Sequence, residues 1–224
     1  MFYASYGSFV HKLLEQYYNN KIKKDDLVTA FVTGFSDSVL GDRPSDKIVE
    51  SYIQAGIDYF RNFEPIPLTP VQGGIEKRVN FKIGGYPFVG IIDFLGKDNS
   101  GFYIVDHKSR NLKPRSKRKN PTVKDTELND MLRQLYIYSE FVKQEFNAIP
   151  MGLWFNCFKN KMLIKEQFYA DKFDEAIKWA LDTIKEIETT TDFYPNIDYF
   201  ACNFLCGVNN ECCYCQSVFK KGGM

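Results

Sequence analysis

Several things are scarce in this chain of 224 residues. No apolar run approaches the ~20 residues of a membrane span; the stretch Phe88–Ile92 is interrupted by Gly90. The opening residues, MFYASYGSFVHKLLEQ, lack a basic n-region, a clean apolar h-region and a small-residue cleavage site. No signal peptide is therefore expected, and the cytoplasm is the expected compartment. No G-x-x-x-x-G-K-[ST] phosphate loop is present, so any helicase motor would be a separate chain. Histidine occurs twice, at His11 and His107, and no cysteine precedes Cys157. An excess of either charge is also missing, with 29 Lys+Arg against 28 Asp+Glu. That balance, with 44% hydrophobic residues, excludes an acidic disordered chain and predicts one substantial core. It also lacks the overall basic excess by which many nucleic-acid binders declare themselves.

Resolved by position, the charge reads differently. Seven bases and no acid fall between Lys108 and Lys119, namely Lys108, Arg110, Lys113, Arg115, Lys117, Arg118 and Lys119. Without them 22 bases face 28 acids, so an acidic body carries one concentrated basic stretch. The hydrophobic periodicity predicts helices over Gly7–Asn19 with Ser8 as cap, Asp25–Val39, and Ser45–Phe63. Strands follow over Gly74–Ile83 and Tyr86–Leu95, joined by Gly84-Gly85, and over Phe102–His107. Asn111–Asp125 reads as a loop and Thr126–Asn147 as a helix. Two further strands (Met151–Phe158 and Lys161–Tyr169) precede a helix over Asp171–Glu188, capped by Asp171. The expected fold is α/β, a mixed central sheet flanked by helices. A single domain over 1–224 is expected, with a helical part (7–63), an αβ core (72–190) and a Cys-rich tail (192–224).

The informative stretch is 88–110, FVGIIDFLGKDNSGFYIVDHKSR. Asp93 ends one apolar run. Asp106 ends the next, thirteen residues later, and Lys108 follows two residues on. Strand alternation puts Asp106 and Lys108 on one face, about 6.6 Å apart. Pairing of the two strands would bring Asp93 to the same place. Two carboxylates and an amine suit Mg²⁺ or Mn²⁺, which take oxygen ligands and keep waters, and suit phosphate chemistry. Two surface turns with ordinary charges are the competing reading, and D-x-K alone is a weak motif.

These residues resemble the RecB-type branch of the PD-(D/E)XK nucleases, which includes the nuclease domains of RecB and AddB, CRISPR-adaptation nucleases and many phage exonucleases. Four more features fit in order. Gly7 to His11, GSFVH, resembles the helical G-x-x-x-H motif. Glu76 with Phe81, then Gly90 and Asp93, resembles the E…F…G-x-x-D strand pair. Asp106-His107-Lys108 resembles the D/E-x-K strand, and Gln134-Leu135-Tyr136-Ile137-Tyr138 the Q-L-x-x-Y helix motif. The resemblance implies a restriction-endonuclease-like core and metal-dependent hydrolysis of DNA, and on that resemblance an exonuclease is expected rather than an endonuclease. It implies His11, Asp93, Asp106 and the carbonyl of His107 as metal ligands, Lys108 as positioner of the water, Glu76 as a supporting acid, and Gln134 and Tyr138 as supports that contact DNA. The process could be recombination, repair, phage DNA processing (then in the host-cell cytoplasm) or CRISPR adaptation, with a helicase or recombination partner or a homo-oligomer. Each residue also has a plain reading: a lone His is often structural, Glu76 could be a strand-edge charge, and Gln134 and Tyr138 could be helix surface.

The basic loop suits sequence-independent phosphate contacts from Arg110, Lys113, Arg115, Lys117, Arg118 and Lys119, ordered on DNA and loose without it. The usual fate of such a run is a solvated loop. In the tail, five cysteines lie within fourteen residues, Cys202 to Cys215. A metal or cluster is a stronger reading there than disulfides. Cys202, Cys206, Cys212 and Cys215 are the expected ligands of a 4Fe–4S cluster or of Zn²⁺. Iron–sulfur members of the resembled branch place one cysteine before the first helix, and none precedes Gly7 here. A non-catalytic nucleic-acid-binding module with a structural Zn or Fe–S site is the alternative function.

Overall fold

The computed structural model describes residues 2–41, 44–195, 197–198, 201–202, 206–208 and 211–214. Three helices come first: α1 (Phe2–Tyr18), α2 (Leu27–Ser38) and α3 (Asp46–Arg61). Then follow β1 (Thr69–Ile83), β2 (Tyr86–Lys97), β3 (Phe102–Lys108), α4 (Val123–Phe146), β4 (Pro150–Cys157), β5 (Met162–Gln167) and α5 (Ala170–Thr189). The strands form one mixed sheet in the order β1-β2-β3-β4-β5. Only β3 and β4 run parallel, and α4 makes the crossover between them. Among the described residues no helix is long and apolar enough to cross a membrane.

Strand alternation sorts the core into two layers. Ile104, Leu153 and Phe155 pack with Leu135 and Val142 of α4 and Phe173 of α5. Val105 and Trp154, one residue out of phase, pack on the other side with Phe94 and Ile66. Beyond them α1, α2 and α3 close over their own aromatic cluster, including Phe2, Tyr6, Phe31, Phe60 and Phe158. Each such ring contributes roughly 1.5–3 kcal/mol on burial. The mixed sheet with helices on both faces is the expected fold class.

Several boundaries differ from the sequence expectation, each for a physical reason. Helix α1 starts at Phe2 because Phe2 and Tyr6 extend the buried stripe of Phe9, Val10 and Leu13, so Ser8 lies inside the helix and caps nothing. Strand β1 starts at Thr69, five residues before Gly74. Pro70, Gly73 and Gly74 look like turn residues, yet Thr69 and Pro70 pair with Lys97 and Gly96, and the irregularity falls between Pro70 and Ile75. Gly84 and Gly85 make the hairpin turn, with φ of 56° and 91°. Positive φ at both central residues matches the twist of the flanking strands. Helix α4 starts at Val123 behind a capping box of Thr122 and Asp125. At α5 the cap position is Tyr169, so Asp171 sits in the first turn and acts through the helix dipole instead.

Candidate active site

The site forms where the sheet forks. Strands β2 and β3 pair only from Phe94↔Val105 to Lys97↔Phe102. Beyond that, β2 continues with β1 as a hairpin as far as Ile83↔Tyr86, while β3 continues with β4 as far as Lys108↔Cys157. Asp93 and Asp106 are the first residues past the last shared pair. The main chain of His107 has no strand partner on that side, and its N–H donates to Asp93 Oδ2 at 2.7 Å. The acids therefore lie inside long strands, at the point of divergence.

Helix α1 brings His11 to the fork. Its Nδ1 lies 3.3 Å from Glu76 Oε1 and 3.7 Å from Asp93 Oδ2, and its Nε2 lies 3.0 Å from the carbonyl of His107. A carbonyl only accepts, so Nε2 carries a proton and Nδ1 is the atom aimed at the carboxylates. Histidines that bind metals have one ring N–H fixed by a carbonyl in this way, and Nδ1, here bonded to Glu76, would coordinate on giving up its proton. One ligand atom each from His11, Glu76 and Asp93 lies within 4.8 Å of the others. Asp106 is beside them, its carboxylate Oδ2 2.8 Å from Lys108 Nζ. The Lys108 ammonium is the polar neighbour of this buried oxygen, which accepts no other hydrogen bond among the described residues.

Among the described residues Glu76 has the one left-handed non-glycine backbone within a strand, with φ of 46°. Such a conformation costs of order 1–3 kcal/mol and persists where the surroundings enforce it. It follows the irregularity in β1 and belongs to the residue whose carboxylate meets His11.

The electrostatics are those of crowded acids. Burial, then the charge of Asp106, pushes Asp93 up to about 7. Burial raises Asp106 as well, although Lys108 opposes it. Burial lowers His11, but its hydrogen bond to Glu76 and the charges of Asp93 and Glu76 outweigh that and raise it overall. All three shifts favour the protonated forms of these groups. An oxygen-rich donor set with one imidazole fits Mn²⁺ well and Mg²⁺ adequately, and Asp106, whose Oδ2 is met by Lys108 alone, fits the same ion.

A cleft of about 610 Å³ opens over this group. The small residues Ala4, Gly7 and Ser8 of α1 line one side, and Glu76 and Lys108 the other. Glu15 lines it too, while the partners of His11 are Glu76, Asp93 and His107.

The remaining expected residues fall elsewhere. The ring of His107 points away from Lys108, bonded at Nδ1 to Asn156, whose amide also reaches Tyr59 of α3 at 2.8 Å. Burial holds His107 well below its ordinary value, so it is neutral. Its carbonyl, expected on the metal, accepts from His11 Nε2 and keeps a second lone pair. Asn156 and Tyr59 escape sequence reasoning, although a polar residue within LWFNCF is a signal that a buried strand needs a partner there. Gln134 donates to Tyr138 at 3.1 Å, and Tyr138 packs on Gly90, where a Cβ would come within 2.4 Å of its ring. Among the described residues no hydrogen bond or ion pair joins them to the acids.

The basic stretch is anchored, contrary to the expectation of a loose loop. Leu112 is buried, and Asp125 accepts hydrogen bonds from the backbone and hydroxyl of both Ser116 and Thr122. Arg110 pairs with Glu127, and Arg115 with Glu166 of β5, which carries the loop away from Glu76. Lys113, Lys117, Arg118 and Lys119 are exposed without an ion pair among the described residues. In the tail, Cys202 is buried, and Cys206 and Cys212 are half-buried. Among the described residues no cysteine joins a metal-holding group, and Cys215 lies outside them.

No curated protein matches the chain. A family model described as the PD-(D/E)XK nuclease superfamily matches residues 2–216. With the sheet, the fork and Asp106-x-Lys108 in place, the chain belongs to the PD-(D/E)XK nuclease superfamily.

Proposed function

We propose that this nuclease is a Mg²⁺- or Mn²⁺-dependent deoxyribonuclease of the RecB-type branch, acting on DNA ends as an exonuclease. The observation that carries it is the convergence of His11, Glu76 and Asp93 beside the Asp106–Lys108 pair. His11 through Nδ1, Glu76 and Asp93 would hold the ion, and Asp106 would complete the set. Bound there, a divalent cation supplies Lewis acidity toward the scissile phosphate and an acidified water. Lys108, fixed by Asp106, orients the attacking water toward phosphorus. Asn156, itself bonded to Tyr59, holds the ring of His107, and the His107 carbonyl fixes the ring of His11. Lys113, Lys117, Arg118 and Lys119 offer phosphate contacts that carry no sequence information.

The test uses linear DNA labelled at either end, against a covalently closed circle, with Mg²⁺ or Mn²⁺. Stepwise loss from an end in either metal, sparing the circle, is expected. Cleavage of the circle would make it an endonuclease, and no cleavage in either metal would leave the binding-module alternative. We also propose Cys202, Cys206, Cys212 and Cys215 as ligands of a 4Fe–4S cluster or Zn²⁺, from the crowding of thiols in the tail. Metal analysis with visible absorption decides it: bound iron with colour, or bound zinc without, supports the reading, and neither metal ends it.

A further inference from the structure

The hairpin of β1 and β2 buries one face and leaves the other open. Val79, Phe81, Ile83 and Ile92 belong to the core beneath α4. The opposite face starts at the acids and runs outward in register: Glu76 beside Asp93, then Arg78↔Ile91, Asn80↔Val89 and Lys82↔Pro87. All six residues beyond the acids are exposed, Val89 by 59% and Ile91 by 49%.

Two features of this face lack a structural explanation. An open face of a half-buried antiparallel pair normally carries polar residues, yet β2 presents Ile91 and Val89 to water. Arg78 and Lys82 form no ion pair among the described residues, whereas Arg110 and Arg115 of the basic loop are both paired with glutamates. At about 3.4 Å per residue, Arg78 stands about 7 Å and Lys82 about 20 Å outward from Glu76.

We propose that this face is the track for one strand of the nucleic-acid substrate, leading away from the scissile phosphate. Arg78 and Lys82 take phosphates along β1. Ile91 and Val89 cover the sugars and base faces along β2. Charge complementarity favours a polyanion, and the track is continuous with the acids that receive its phosphate. The inference rests on the nuclease reading for its direction, while the binding it asserts is measurable without cleavage.

The test is fluorescence anisotropy of a labelled single-stranded oligonucleotide, in EDTA, across a potassium chloride series. R78Q/K82Q should weaken binding about tenfold at low salt and flatten the slope of log affinity against log salt by about 1.4, two phosphate contacts at 0.7 each. V89S/I91S should weaken binding with the slope unchanged. Both pairs should hydrolyse bis(p-nitrophenyl) phosphate, which has no chain to lie on the hairpin, at the wild-type rate. Unchanged affinity and slope in both pairs would overturn the track. So would a wild-type dimer in sedimentation that V89S/I91S dissolves, because the face would then belong to a second copy. A wild-type protein inert to both the small diester and the oligonucleotide would remove the nuclease reading and leave the anisotropy to decide the track.

Discussion

Two places in this molecule bury aspartate, and they do so in opposite ways. At the root of α4, Asp125 accepts four hydrogen bonds from Ser116 and Thr122, and those bonds hold its carboxyl well below the ordinary range. At the fork, Asp93 and Asp106 crowd against Glu76 and His11, and burial drives both upward. The first arrangement stabilises the fold. The second keeps negative charge where it is least comfortable, with Lys108 alone against the buried Oδ2 of Asp106. Saturated carboxylates stabilise structure, and unsaturated ones are poised to take a cation.

Substitutions at the two places should therefore act on different properties. Asp106→Asn should give the largest change, a loss of roughly 10³-fold in single-turnover cleavage, as expected when several kcal/mol of charge stabilisation is removed. Its melting temperature should stay level or rise, because one crowded charge is gone. A fall in both would make Asp106 structural. Glu76→Gly should weaken Mn²⁺ binding by roughly a hundredfold in calorimetry. It should leave stability equal or higher, since glycine accepts a φ of 46° without strain.

Protons should report the same contrast at a smaller scale. The proton held by Asp93 must leave when a cation binds, so Mn²⁺ affinity should rise with pH, about tenfold per unit below 7, and level off above it. Affinity flat from pH 5 to 8 would contradict that. Asp125 runs the other way. Its folded value is depressed, so its stabilisation is fully present above the ordinary carboxylate range and is lost as pH falls through the lowered value. Asp125→Asn should lower the melting temperature at pH 7 and narrow that acid-side loss, and Thr122→Ala should cost about 1 kcal/mol. Neither should change the single-turnover rate.

Much of this was legible beforehand. The order of elements followed from apolar periodicity and from turn residues such as Gly84-Gly85. Asp93, Asp106 and Lys108 stood out because each acid closes an apolar run. What escaped depends on pairing over distance. The fork arises where β2 stops pairing with β3, and no local pattern encodes that. The left-handed φ of Glu76 is enforced by its surroundings, since glutamate has no preference for it. The basic loop looked like a free charge run because Asp125, which pins it, lies beyond the run and at a helix start. Arg78, Asn80 and Lys82 read as an ordinary solvated strand face; only the exposed Ile91 and Val89 opposite them set it apart.

If the fork is the active site, it cuts DNA with its own lysine. The direct measurement is single-turnover degradation of end-labelled DNA by wild type and Lys108→Ala, in Mg²⁺ and in Mn²⁺, with the melting temperature of both proteins. The prediction is degradation by wild type, a rate lower by about 10²–10⁴-fold in Lys108→Ala, and a cooperative melt in both proteins, that of Lys108→Ala lowered because Asp106 loses its partner. Wild type inert in both metals, or Lys108→Ala as fast as wild type, would contradict it.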